Sequence, residues 1–270
     1  MNLDIDGRTA LVTGASSGIG RGIALALAAE GVRTIITARR EDRLRELAKE
    51  ITDAGGPEPV VMQQDFLLHD APQLIADRAG HVEILVNNAG GSRPFGRDAT
   101  EAQWEEALTL NFTRHRQLTQ RLLGPMLASG WGRIINVTGK SEPDGVNGSY
   151  VAKAAMHAWA KGLSREVGRY GITVNSIPPG RIMSEQIDQN YPPELRERHA
   201  RADIPVGEYG QPADIASLVC FLASPLARYI TGAVIPVDGG LRRYQFLPTG
   251  KPRENPLGTT GMRPLKLVLL

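Results

Sequence analysis

The sequence predicts an α/β fold: a doubly wound, seven-stranded parallel sheet with helices on both faces. Three observations predict it. Short runs, apolar throughout, alternate with longer helical patterns over residues 9–240. Such runs read as strands buried on both faces, as in a parallel sheet between two helical layers. A glycine-rich turn, "TGASSGIG", joins the first run to the first helical pattern. The 270 residues contain neither an internal repeat nor a Pro/Gly/Ser linker that would divide them, so a single domain is the simplest reading.

The elements follow in order. "TALVTGA" (9–15) is a buried strand, and residues 19–30 are a helix closed by Gly31, a residue type suited to the left-handed turn at a helix end. "RTIITA" (33–38) is the second strand and "EDRLRELAKEITDA" (41–54) its charged return helix. "EPVVMQQD" (58–65) is the third strand, "APQLIADRAG" (71–80) a short helix, and "VEILVNNAG" (82–90) the fourth strand. Helices over 101–112 and 113–128 precede "GRIINVTG" (132–139), the fifth strand. A long helix over 149–168 leads to "GITVNSI" (171–177), the sixth. Loops and small helices over 180–210 come before a helix at 212–223, and "GAVIPVDGG" (232–240) is the seventh strand. The domain thus covers 1–240. Residues 241–270 form a C-terminal extension with four prolines and an apolar "LKLVLL" end. That composition fits either a poorly ordered tail or a segment packed across a neighbouring subunit.

Bulk composition narrows the function classes. Apolar residues make up 41% and charged residues 22%, ordinary for a globular protein. A net charge of +2 leaves no electrostatic footprint for nucleic acid. Cys220, the single cysteine, sits in the apolar run "SLVCFLA". It excludes an internal disulfide framework and suits a reducing, cytoplasmic setting. Neither a secretory leader nor a run of about 18 apolar residues is visible, so no membrane association is expected. The five histidines form no metal-ligand spacing, so no metal site is expected.

The turn after the first strand carries the first chemistry. Gly14, Gly18 and Gly20, with Ser16, Ser17 and Ile19 between them, let the backbone turn tightly and approach a ligand closely. The helix that follows directs unpaired N–H groups and its positive dipole end at the same point, a site for a pyrophosphate. Between a strand and a helix, this spacing points to a Rossmann-type dinucleotide site. At the tip of the second strand an Asp or Glu would hold the ribose 2′-hydroxyl of NAD(H). "TARRE" offers Arg39 and Arg40 instead, two guanidinium groups suited to a 2′-phosphate. NADP(H) is the expected cofactor, and NAD(H) the alternative if both arginines are merely solvated.

With these motifs in order, the chain resembles the short-chain dehydrogenase/reductase family over residues 5–240, closest to its 3-oxoacyl-carrier-protein reductase-like group. The resemblance is carried by "TGASSGIG" (13–20), "NNAG" (87–90), Asn111 in "LTLNF", "GRIINV" (132–137), Lys153 in "AKAA", "NSIPPGRI" (175–182) and "VDGG" (237–240). It implies that Asp65 bonds the adenine beside the backbone of Phe66, and that Asn88, Ala89 and Gly90 line the cofactor. Pro179, Gly180 and Ile182 would flank the nicotinamide, and Lys153 would bond its ribose. Asn111 would hold a water in a proton relay. The resemblance also implies a small-molecule substrate and a homodimer or homotetramer packed through helices 113–128 and 149–168. Arg93, Lys140 and Arg181, on loops after strands four, five and six, suggest an anionic substrate unless all three face solvent. Residues 183–205 read as an amphipathic lid.

Two groups depart from the family's pattern. The family's tyrosine lies four residues before the lysine. Here that position is Ser149, and Tyr150 stands three before. The family's serine lies three residues after the strand-five asparagine. Counting from Asn136 reaches Gly139, with Thr138 and Ser141 nearby. On a helix the two tyrosine positions differ by about 100° and about 1.5 Å, while catalysis responds to displacements of about 1 Å. Three readings stay open. Tyr150 donates the proton, with Ser141 or Thr138 orienting the substrate. Or Ser149 and Lys153 relay it with Asn111 and water. Or the chain binds NADP(H) without ordinary carbonyl reduction. The first two describe an oxidoreductase interconverting a carbonyl and a secondary alcohol; the third covers a regulator or scaffold, and a dehydratase or isomerase on the same fold is a further possibility.

Overall fold

A computed structural model describes residues 2–92, 95–139 and 145–242. Its strands are β1 (Thr9–Thr13), β2 (Arg33–Ala38), β3 (Val60–Gln63), β4 (Ile84–Asn87), β5 (Gly132–Val137) and β6 (Ile172–Ile177). The helices are α1 (Gly18–Ala29), α2 (Glu41–Asp53), α3 (Ala71–Ala79), α4 (Glu101–Leu108), α5 (Arg114–Ser129), α6 (Gly148–Val167), α7 (Glu185–Asn190), α8 (Pro193–Asp203) and α9 (Pro212–Ala223). The strands pair in parallel in the order β3-β2-β1-β4-β5-β6. The order reverses between β1 and β4, so a crevice opens there beyond the carboxyl ends of the strands.

The pleat explains why both faces had to be apolar. Ala10 and Val12 of β1, Ile84 and Val86 of β4 and Ile135 of β5 pack with Ile23 and Leu27 of α1, Leu44 and Leu47 of α2, and Ile215 and Val219 of α9. Their strand neighbours Leu11, Leu85 and Ile134 point the other way. They meet Ile75 of α3, Leu118 and Met126 of α5, and Ala160 and Val167 of α6. Alternation with a period of two thus feeds two separate cores, and all these side chains are buried.

The expected seventh strand is corrected: the described residues form a six-stranded sheet. Residues 232–237 do run alongside β6. Ser176 N–H donates to Ala233 O at 2.9 Å, and Ile235 N–H to Ser176 O at 2.9 Å. The two segments nevertheless meet only as isolated bridges at Ser176–Val234 and Pro179–Val237. The reason is the "IPPG" step: Pro178 and Pro179 have no N–H to give, so the ladder breaks where it would otherwise continue. The helices expected over 101–112 and 113–128 also join differently. One π-turn, Thr109–Thr113, links α4 to α5 and centres on Asn111. Residues 243–270, most of the expected extension, lie outside the described residues, as do Arg93, Lys140 and Ser141.

Candidate active site

The cleft begins at the glycine turn. Gly14 and Gly18 hold positive φ, +67° and +54°, which side chains disfavour. A Cβ on Gly14 would lie 2.8 Å from the Cα of Ala89, and one on Gly20 would lie 2.4 Å from Gly14 O. The turn therefore closes directly onto the tip of β4. Asn88 Nδ2 donates to Thr13 O at 2.8 Å and to Gly14 O at 3.2 Å. The Thr13 hydroxyl accepts from the N–H groups of Asn88 and Ala89 and donates to Val86 O, filling its full capacity. Ser17 precedes α1 in an extended conformation and its side chain makes no capping bond. The first N–H groups of α1 are left without a side-chain cap.

From this turn a cavity of about 640 Å³ runs both ways. One wall carries Arg39, Arg40, Asp65 and Phe66; the middle carries Gly14, Ser16, Ser17, Gly18, Ile19 and Gly20; the other wall carries Asn88, Ala89, Gly90, Pro179 and Ile182, with Thr138 and Lys153 at the inner end. The structure thus brings together every expected cofactor residue except Gly180. Its N–H is bonded to Val237 O at 2.9 Å, and a Cβ there would strike Asp238.

The two arginines are not equivalent. Arg40 donates to Ser17 Oγ at 2.8 Å and pairs with Glu185 of α7 at 2.9 Å. The same bond holds the Glu185 carboxyl below its ordinary pKa. Arg39 also lines the cavity, and its guanidinium has no hydrogen-bond or ion-pair partner among the described residues.

At the inner end Lys153 is half-buried and lines the cavity. Burial pulls its pKa from 10.5 down to about 8, because the charged form loses water. Two histidines that the sequence reading passed over flank this region. His115 is buried, and its Nε2–H donates to Ala89 O at 2.6 Å while Nδ1 lies 3.3 Å from Asn87 Oδ1. Burial pulls its pKa from 6.5 to about 4, against the raising effect of the Ala89 bond and with a further lowering by the Lys153 charge. It is neutral at pH 7. His157 Nε2 meets the Thr138 hydroxyl at 2.7 Å. Their sequence signal was spacing: His115 follows Asn111, and His157 follows Lys153, by four residues, one helical turn on the same face.

Two of the expected catalytic groups sit behind the cleft wall. Asn111 is 3% exposed. Its Nδ2 bonds Ala107 O at 3.0 Å and Gly91 O at 3.2 Å, and its Oδ1 accepts from Gly91 N–H. The Ala107 bond satisfies a carbonyl at the start of the π-turn. Ser149 is 1% exposed and its hydroxyl donates to Gly91 O at 2.7 Å. Neither lines the cavity, and Tyr150, next along α6, does not line it either. Arg181 turns to Tyr209 and Asp203 instead of the cavity.

Known proteins are similar to this chain in sequence and fold. The family model described as enoyl-(acyl carrier protein) reductase matches residues 14–242. A 3-oxoacyl-[acyl-carrier-protein] reductase of Aquifex aeolicus is 34% identical over 257 residues, covering 89% of this chain and 100% of that protein. The chain belongs to the short-chain dehydrogenase/reductase family. It is accordingly an oxidoreductase of the carbonyl/alcohol type. A 7alpha-hydroxysteroid dehydrogenase of Escherichia coli is 32% identical, covering 88% of this chain and 96% of that one. The crystal structure of L-sorbose reductase from Gluconobacter frateurii, complexed with NADPH and L-sorbose, superposes with a TM-score of 0.84 at 28% identity, covering 89% and 98%.

Against the family's pattern, Gly139 matters most. A Cβ added there would lie 2.9 Å from Lys153 Cδ and 3.7 Å from its Nζ. The lysine chain is folded over the place where the family carries a serine.

Proposed function

We propose that this short-chain dehydrogenase/reductase is an NADP(H)-dependent enzyme that interconverts a small carbonyl compound and its secondary alcohol. The observation that carries the reading is the cavity itself, with an uncommitted guanidinium, Arg39, at one end and a half-buried ammonium, Lys153, at the other. The residues fit a dinucleotide: the glycine turn has no room for a side chain, and the start of α1 has no side-chain cap. When bound, the cofactor supplies or accepts the hydride. Arg39 and Arg40 hold the 2′-phosphate, and the glycine turn with the α1 N-terminus holds the pyrophosphate. Asp65 and Phe66 border the adenine, and Asn88 to Gly90 with Pro179 and Ile182 fix the depth of the nicotinamide. Thr13, His115 and Asn111 hold that wall from behind, at Ala89 and Gly91.

NADPH and NADH dissociation constants for the wild type and Arg39→Ala test the cofactor assignment. NADPH is expected to bind the wild type at least about tenfold more tightly, and the variant to lose most of that margin. Equal constants throughout would defeat it. The replacement of the family's serine and tyrosine by Gly139 and Ser149 favours a second reading, NADP(H) binding without turnover. Acetoacetyl-coenzyme A, a soluble β-ketothioester, separates the two by whether it is reduced. A homodimer or homotetramer through α5 and α6 and a reducing, cytoplasmic setting for buried Cys220 complete the proposal. Light scattering tests the first and cell fractionation the second.

A further inference from the structure

The carbonyl reduction just proposed needs a proton at the substrate oxygen; of the groups expected to provide it, Ser149 and Asn111 are committed elsewhere and Tyr150 lies off the cavity. The Ser149 hydroxyl gives its proton to Gly91 O at 2.7 Å. Asn111 is held by Gly91 and Ala107. Tyr150 does not line the cavity. Lys153 does, and it has no hydrogen-bond or ion-pair partner among the described residues. Its Nζ lies 3.7 Å from the Cβ that a serine at position 139 would have. The lysine's Cδ, 2.9 Å from that point, crowds the position of the family's substrate-orienting serine, and the ammonium lies beside it.

We propose that Lys153 is itself the general acid of the reduction, giving its ammonium proton directly to the carbonyl oxygen. As hydride reaches the carbonyl carbon, the π pair moves onto oxygen. An O–H bond forms while one Nζ–H bond breaks, and its electron pair stays on nitrogen. The neutral amine regains a proton from solvent through the cleft. In the reverse direction the neutral amine takes the alcohol's proton while hydride leaves the carbon. The neighbouring groups favour this role. His115 on α5 is neutral, His157 on α6 is bonded to Thr138, and Arg242 is bonded to Gly139 O at 3.4 Å. No carboxylate on the described residues pairs with the ammonium, and its lowered pKa of about 8 is close to the value a general acid needs at neutral pH.

The experiment uses the full chain, NADPH and acetoacetyl-coenzyme A. For the wild type, kcat for reduction is expected to be flat at neutral pH and to fall about tenfold per pH unit above about 8. Lys153→Arg keeps a cation that does not release its proton. It should bind NADPH within about threefold of the wild type and lose kcat by roughly 10²–10⁴-fold. Lys153→Ala guards against a misplaced arginine: ethylammonium and its more acidic fluorinated analogues should restore turnover, with rates per ammonium ion that rise as amine basicity falls. The inference is overturned if Lys153→Arg keeps its kcat, or if Tyr150→Phe abolishes turnover with NADPH binding intact. A wild type that binds NADPH and reduces nothing would instead sink the carbonyl-reductase reading, and this inference with it.

Discussion

The two ends of the cleft are built from different material. At the glycine turn the site is mostly backbone: positive-φ glycines, uncapped N–H groups and carbonyls tied down by Asn88. At the inner end it is mostly side chain: Lys153 over Gly139, Thr138 on His157, His115 behind Ala89. Backbone sites tolerate sequence change everywhere except at their glycines. Side-chain sites depend on helix phase, where one residue is worth about 100°. A one-residue displacement of the tyrosine therefore leaves the first end intact and rebuilds the second.

Perturbations at each end can break or sharpen this contrast. The largest effect is expected from Gly20→Ala, whose Cβ would sit 2.4 Å from both Gly14 O and Asn88 Nδ2. NADPH affinity should fall at least about 100-fold and stability by roughly 1–3 kcal/mol. Calorimetric titration and thermal melts read both; a well-folded variant with wild-type affinity would break the backbone half of the comparison.

Next comes acid. The folded pKa of His115, about 4, lies below its ordinary 6.5, so the unfolded chain binds the extra proton between those values. The stability this contributes is full above pH 6.5 and is lost as pH falls towards 4, by about 3 kcal/mol at most. Urea midpoints across that window should show the slope, and His115→Leu should flatten it. An unchanged slope would remove His115 from the wall behind Ala89.

Arg39→Ala should cost about tenfold in NADPH affinity, roughly 1.4 kcal/mol, with NADH unaffected. The smallest effect belongs to Glu185→Gln, which releases Arg40 from its ion pair. An exposed pair of this kind contributes little. NADPH affinity should rise about two- to threefold at low salt and converge with the wild type at high salt. A large, salt-insensitive change would mean that α7 grips the cofactor through Glu185 itself.

Much of this architecture was legible in the residues. β2 and α9 match their expected ranges, because apolar runs and the Pro212 helix start are local signals. The seventh strand fails to form a ladder because the partner's Pro178–Pro179 step interrupts the pairing, and its apolar pattern carries no information about that partner. Asn111 was read from its motif as part of a proton relay; its present contacts are to backbone, set by a π-turn that leaves no mark on periodicity. His115 and His157 stand one helical turn after Asn111 and Lys153, but that spacing does not encode that the first bonds Ala89 O and the second Thr138.

By itself the sequence determined the order of strands and helices, the dinucleotide turn and the basic tip of β2. These follow from local causes: side-chain periodicity, glycine φ and the absence of a carboxylate after Ala38. Only the tertiary structure decided that Arg40 is engaged by Glu185, 145 residues away, and that Ser149 is sealed against Gly91. It alone laid Lys153 into the space above Gly139. Those outcomes depend on how separate elements rotate and pack against one another, and no spacing along a single element encodes that.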